Sequence, residues 1–245
     1  MTFSGSPRPA RRWHHASSDL RDFALISYRV EPERLARALP DGFEVERFGD
    51  FGLVSAVPFL DTRFHFRWMP LVKVDCGQVN YRAYVRYRGQ RGVWFFGTSL
   101  DTWLVAWPRL RWQMPWYRDR IRIDSQWDGD TLRSWSLAAT GGWGGAECSL
   151  ADGGPIEAIP GFRDRDHLLE VLCHPLRGWF ERRDHRVASY TVWHDVLDPL
   201  ACAVSSARFS VFERLDLVSP GELPHSAFVQ RAIHFDVHTP PTVTL

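Results

Sequence analysis

Val79–Leu100, VNYRAYVRYRGQRGVWFFGTSL, is the stretch whose reading decides the fold. Val79, Tyr81, Ala83, Val85 and Tyr87 fall on one face of an extended chain, and Asn80, Arg82, Tyr84, Arg86 and Arg88 on the other. That strict period of two is a strand signature. The tip RGQRG turns the chain back through VWFFGTSL, so the stretch reads as a β-hairpin.

Strand signals continue outward in both directions. Leu20–Val30 is apolar and β-rich, and it leads into EPERLARALP, a short helix with Pro32 in its first turn and Pro40 at its end. FEVERF and FGLVSAVPFL read as two strands joined across Gly49-Asp50. In DTWLVAWPRLRW a cap at Asp101 or Thr102 starts a helix that Pro108 interrupts, giving one kinked helix or two short ones. RIRID and TLRSWSLAAT are strands parted by a DGD turn, and TGGWGGAECSLADGGP reads as a loop without the lysine of a phosphate-cradling motif. Helical periodicity runs from Asp164 or Asp166 to Phe180, with Pro175 as a late breaker. VASYTVWHDVL, CAVSSARFSVFERL and RAIHFDVH complete the strands. The expected fold is mainly β (α+β): a curved antiparallel sheet closing into a barrel or cone, with a few short helices outside. Residues 1–18 are expected to form a disordered or loosely packed leader, and 19–245 a single domain.

The 245 residues can bury a full core without staples. Cys76, Cys148, Cys173 and Cys202 show neither zinc-ribbon nor disulfide-framework spacing, so free thiols in a reducing compartment are expected. The net charge of +1 gives no reason to expect nucleic acid or an anionic membrane as partner. The first twenty residues lack the apolar stretch of a secretory signal, and no run reaches the roughly eighteen apolar residues of a membrane span. A cytoplasmic location follows as the expectation. Twelve tryptophans and sixteen phenylalanines suit either plain core packing or the wall of an apolar cavity.

LRDFALISYRVEPERLARALPDGFEVE resembles the entry of acetoacetate decarboxylase-like proteins, where an arginine-bearing strand leads into a short helix. VNYRAYVRYRGQRGVWFFGTSLDT and MPWYRDRI look like the YqjF-like branch of that superfamily. The resemblance covers about Leu20 to Asp124 and, more weakly, SPGELPHSAFVQRAIHFDVH. It implies a cone-like β-barrel around an apolar cavity. In the decarboxylases that cavity holds a lysine of lowered pKa, which forms a Schiff base with a β-keto acid. An arginine holds the substrate carboxylate and a glutamate assists proton handling. The arginine carries over onto Arg21, and the acid onto Asp75 or Gln78. The lysine does not carry over: its place in MPWYRDR holds Pro115, Trp116, Tyr117 and Arg118. A guanidinium stays protonated and cannot take over as nucleophile.

Lys73 is the sole lysine, but on a continuous strand it shares a face with Asp75 and points away from Asn80, Arg82 and Tyr84. A carboxylate beside it favours the protonated amine, the opposite of what a Schiff base needs. Asn80, Arg82 and Tyr84 carry an N-x-R-x-Y pattern shared with the YqjF-like proteins. They either present an amide, a cationic fork and a phenol to a cavity, or form a solvated outer face. Tyr117 is either an acid or base in the lysine's old place or a packing residue. His234, Asp236 and His238 alternate on one strand face, which reads as a solvated edge rather than a metal set. The expected site is therefore Tyr84, Tyr117 and Asp75 as catalytic groups and Arg21, Arg82, Asn80 and Gln78 as substrate ligands, without cofactor or metal. The expected function is lyase, hydratase or cyclase chemistry on a small carboxylate or keto compound, without a Schiff base. The alternatives are a non-catalytic binding protein and a decarboxylase using Lys73. The long edge strands make a homo-oligomer an expected form.

Overall fold

The computed structural model describes residues 5–157 and 159–244. From the N-terminal side, β1 (Ala16–Val30) runs into α1 (Pro32–Arg37), followed by β2 (Phe43–Val45), β3 (Gly52–Phe66), β4 (Val74–Tyr87) and β5 (Gln90–Leu100). A 3-10 turn (Trp103–Val105) and α2 (Ala106–Arg111) lead to β6 (Trp116–Arg118), β7 (Arg120–Asp128), β8 (Thr131–Thr140) and β9 (Ala146–Gly154). Next come α3 (Arg165–Leu168), extended by a π-helical turn (Leu169–Cys173), then β10 (Arg177–Glu181), β11 (Val187–His194), β12 (Leu200–Phe209), α4 (Ser210–Arg214) and β13 (Ser226–Val243). The β4–β5 hairpin turns at Arg88 and Gly89, both with positive φ, as a two-residue type I′ connection requires.

Seven strands close a barrel in the order β1-β3-β4-β5-β10-β11-β13, with β13 pairing back onto β1 from Ala16↔Val237 to Ser27↔Ser226. From β13 the sheet continues through β12-β9-β8-β7, which folds over the outside of the barrel. The barrel wall is therefore buried on both faces. Its outward side chains (Ala24, Ile26, Tyr28, Val54, Tyr81, Val85, Trp94) pack with Trp135, Leu137 and Phe212 of the covering layer. Inward side chains from all seven barrel strands form a second core that includes Leu25, Leu53, Val57, Phe95, Phe180 and Phe228. Alternation along each strand thus sorts residues between two cores rather than between core and water.

The seam between β5 and β10 is the barrel's parallel joint, and it depends on the bare backbone of Gly92. A Cβ there would stand 2.5 Å from the Arg177 carbonyl oxygen and 2.5 Å from the Trp179 ring. Because one obstacle is backbone, the strands must separate to make room. Gly92→Ala is expected to cost about 1–3 kcal/mol, read as a lowered denaturant midpoint at unchanged m-value.

Several elements differ from the sequence reading. The leader is not among them: residues 6–13 are exposed, and they are tethered where Arg8 and Arg11 pair with buried Asp236, Arg8 lies over Trp193, and the Trp193 indole donates to the Ser6 carbonyl. The second half of the glycine-rich segment is a strand, because Ala146, Cys148 and Leu150 alternate into the outer core between β8 and β12. The helix ends before Pro175, and Arg177–Glu181 is a strand. The second half of CAVSSARFSVFERL forms α4. Of the two alternatives for DTWLVAWPRLRW the second forms, two short helices, with Pro108 in the first turn of α2, where it is tolerated. The segment Arg165–Cys173 packs among inner-core residues rather than outside the barrel, with Leu168, Leu169, Leu172 and Cys173 buried there as a plug.

Candidate functional site

The inner face of β4 carries a polar track through an apolar barrel. Cys76, Gln78, Asn80, Arg82 and Tyr84 share this face, since Gln78, Asn80 and Arg82 stand opposite Phe59, Val57 and Ser55 of β3. One cross-barrel row runs Ser27, Ser55, Arg82, Phe95, Phe180. Within it Ser27 Oγ lies 2.7 Å from Ser55 Oγ, which lies 3.0 Å from Tyr84 Oη. Tyr84 donates to the Leu172 carbonyl at 3.2 Å, and Arg82 Nη2 donates to the same carbonyl at 2.9 Å and to Tyr84 Oη at 3.2 Å. A carbonyl only accepts, so the phenol proton points at Leu172. Ser55 then donates to Tyr84, and Ser27 to Ser55. Leu172 offers this carbonyl because it lies in the last turn of the plug, where main-chain acceptors have no helical partner.

Arg82 is 9 % exposed and makes no ion pair among the described residues, and its Nε–H has no acceptor. Its neighbours supply no counter-charge. Burial holds the Cys173 thiol up at about 12 and raises the Tyr190 phenol, each opposed by the Arg82 cation. Burial, then His174, then Arg82 push His194 down to about 3. Near neutral pH these groups carry no charge, so Arg82 is a buried cation without a compensating anion. A buried charge is costly unless paired, and an arginine cannot lose its proton to escape the cost.

Toward the other end of the track, Asn80 Oδ1 accepts from Gln78 Nε2 and from Thr98 Oγ1, both at 2.9 Å. Asp61 of β3, opposite Leu20 and Cys76, points to the same interior and accepts from Ser18 Oγ. Burial raises its carboxyl to about 7, with Asp75 and Asp19 adding to the rise against the Ser18 hydrogen bond. Cys76 and Arg82 are separated by roughly 20 Å of strand, so Asp61 and Arg82 mark opposite ends of the track.

Arg82, Tyr84, Asn80 and Gln78 thus share one interior face, whereas the structure does not bring Arg21, Asp75 or Tyr117 to them. Arg21 is exposed, because the register shift between Arg21 and Ile26, with Asp22 at φ 48°, reverses the parity of β1. Asp75 is exposed at the start of β4 and accepts from the Arg63 amide. Tyr117 stacks on Trp143 at 4.1 Å on the outer side of the wall, while its neighbour Trp116 packs on the inner core. Lys73 is exposed outside the strand. His234 lies between Asp19 and Asp236 in the network that holds the leader, and the described residues contain no cluster suited to a metal ion.

Two clefts flank this arrangement. One, about 490 Å³, lies outside the barrel along Asp101, Arg118 and Asp119. The other, about 290 Å³, runs between the wall and the plug along Glu46, Arg91, Glu170 and His174, and Tyr84 forms part of its lining. Arg82 and Arg21 line neither. The sequence reading missed Ser27, Ser55, Tyr190, Asp61 and the Leu172 carbonyl. The available signal was a single serine or aspartate interrupting the otherwise apolar run GLVSAVPFLD.

The family model described as an uncharacterized conserved protein, DUF2071, matches residues 17–233. The chain belongs to this family. The uncharacterized protein YqjF of Bacillus subtilis (strain 168) is 25 % identical over 114 residues, 45 % of this chain and 46 % of YqjF, so the match spans under half of that relative's length. Among solved structures, the enduracididine biosynthesis enzyme MppR, complexed with the condensation product of pyruvate and imidazole 4-carboxaldehyde, superposes with a TM-score of 0.63 at 11 % identity, covering 94 % of this chain and 88 % of that one. Acetoacetate decarboxylase from Legionella pneumophila subsp. pneumophila str. Philadelphia 1 gives 0.57 at 14 % identity, covering 97 % and 92 %. The DUF2071 chain therefore has the acetoacetate decarboxylase-like fold.

Proposed function

We propose that this DUF2071 protein binds a small carboxylate or keto acid inside its barrel and acts on it as a lyase, hydratase or cyclase without a Schiff base. The observation that carries the reading is Arg82, a buried guanidinium with no carboxylate partner among the described residues and an Nε–H left without an acceptor. A substrate carboxylate supplies the missing charge and accepts from the guanidinium edge. The Tyr84 hydroxyl, now committed to Leu172, turns to an adjacent keto oxygen and polarises it by hydrogen bonding. Asn80 and Gln78 orient the rest of the molecule, and Tyr190 and Phe95, stacked at 5.6 Å, give it an apolar wall. Binding of pyruvate-derived material by the similarly folded MppR is in keeping with this substrate class.

A second reading, a binding protein without turnover, is favoured by one fact. Among the described residues no carboxylate or histidine hydrogen-bonds Tyr84, so the phenol meets only the Ser55 hydroxyl, Arg82 and the Leu172 carbonyl and has no general base beside it. Borohydride reduction in the presence of acetoacetate and of pyruvate, followed by intact-mass measurement, tests the chemistry. The mass is expected to stay unchanged, and Lys73→Ala to behave as wild type toward both compounds. An adduct on Lys73 would restore the decarboxylase mechanism. Binding of both acids with no product from either by NMR would favour the non-catalytic reading.

A further inference from the structure

Outside the barrel, two chain segments bring a cluster of large apolar side chains to the surface. Leu71 is 94 % exposed, Leu110 73 %, Trp103 70 % and Trp68 54 %, with Val72 and Trp107 also exposed. The two segments meet at Phe66, which lies 6.0 Å from Trp68, 5.8 Å from Trp107 and 6.2 Å from Trp112, and Leu71 and Leu110 follow Trp68 and Trp107 by three residues. Isolated exposed apolar residues are ordinary, but a contiguous group of this kind marks an interaction surface.

The charge around the patch is one-sided. Residues 63–73 and 103–112 contain Arg63, Arg67, Lys73, Arg109 and Arg111 and no aspartate or glutamate. Arg63 pairs with Asp19, whereas the other four cations make no ion pair among the described residues. The nearest carboxylates in sequence are Asp61, Asp75 and Asp101: Asp61 is buried and accepts from Ser18, and the exposed Asp75 and Asp101 accept from the main chain at Arg63 and Gly77. The net charge of +1 conceals this segregation. An isologous contact between two copies would set the same cations against one another, which opposes self-association through this face. Neither of the two clefts described above is lined by the apolar residues of the patch. The indole N–H groups of Trp68, Trp103 and Trp107 make no hydrogen bond among the described residues, leaving them to interfacial water and phosphate oxygens.

We infer that this patch rests on an anionic phospholipid surface, with Trp68, Leu71, Trp103 and Leu110 entering the headgroup region and Arg67, Lys73, Arg109 and Arg111 contacting lipid phosphates. No helix among the described residues is long and apolar enough to cross a membrane, and peripheral docking requires none.

Co-sedimentation of the full chain with phosphatidylglycerol–phosphatidylcholine vesicles, compared with phosphatidylcholine alone, tests the inference. Binding to the mixed vesicles is expected, with a blue shift of tryptophan emission and loss at high salt. Arg109→Glu/Arg111→Glu is expected to weaken binding about tenfold or more, and Leu71→Ser/Leu110→Ser to abolish the blue shift. All four positions are outside the inner core, and thermal melts establish that each variant is folded. Equal recovery with both vesicle types, or none with either, overturns the inference. So does wild-type dimerisation in light scattering that the leucine variant abolishes, which would assign the patch to a second copy. Charge reversal that leaves vesicle binding unchanged also overturns it.

Discussion

Arg82→Met is expected to lower affinity for pyruvate and acetoacetate about 10- to 150-fold, the worth of a charge-assisted hydrogen bond to a carboxylate, while leaving the fold nearly as stable or more so. The two outcomes separate because of where Arg82 lies. Its charge is buried without a counter-ion, and an unbranched apolar side chain of similar length fills the same volume without that electrostatic burden. The Leu172 carbonyl keeps its bond from Tyr84, so the variant orphans no main-chain acceptor. Arg82→Lys should be intermediate in affinity, retaining charge but losing the planar fork. Calorimetric titration and a thermal melt on the same preparations read both effects. If the methionine variant instead melts far lower while binding the acids normally, Arg82 is a latch for the plug and not an anion anchor.

Asp61→Asn is expected to stabilise the protein in a strongly pH-dependent way. Burial raises the Asp61 carboxyl from 3.8 to about 7, so the native state retains a proton that the unfolded chain gives up. Native protein binds more protons than unfolded between those values, and stability contributed by this group falls as pH rises through the window. Above it the ionised carboxylate costs on the order of 4 kcal/mol relative to the neutral form. The gain from asparagine should be near zero around pH 4 and reach its plateau at about pH 8. Comparing variant with wild type at each pH isolates Asp61 from His194, whose pKa, lowered to about 3, acts with the opposite sign between 3 and 6.5. Urea denaturation at a series of pH values provides the measurement. A flat difference between the two proteins would show that the carboxyl is solvated in the folded state.

The period of two in Val79–Tyr87 identified the central hairpin because alternation survives in a wall buried on both sides. It could not say which face is inside. Tyr81 and Val85 look like core residues and are, but in the outer core, while Arg82 and Tyr84 look like a solvated face and lie within the barrel. The candidate residues that lie apart from this face share a cause. Arg21 and Tyr117 each depend on a parity that is set elsewhere: by a register shift in β1 for the first, and by the parallel alignment of β6 on β5 for the second. Asp75 sits at a strand entrance, where face assignment has no packing to enforce it. The leader's attachment rests on Arg8 and Arg11 meeting Asp236, a pairing of sequence-distant residues that no local pattern announces. The Leu172 carbonyl is backbone, invisible to any reading of side-chain types.

The closing pair of the barrel joins strands from opposite ends of the chain, with Ala16 against Val237 and Ser27 against Ser226. During synthesis β1 leaves the ribosome long before the partner that covers one of its edges. Until β13 arrives, the growing sheet exposes an unpaired edge and the inward apolar face that the barrel will later enclose. The barrel therefore closes only after β13 has emerged. Contacts this distant in sequence also place the protein among slow folders.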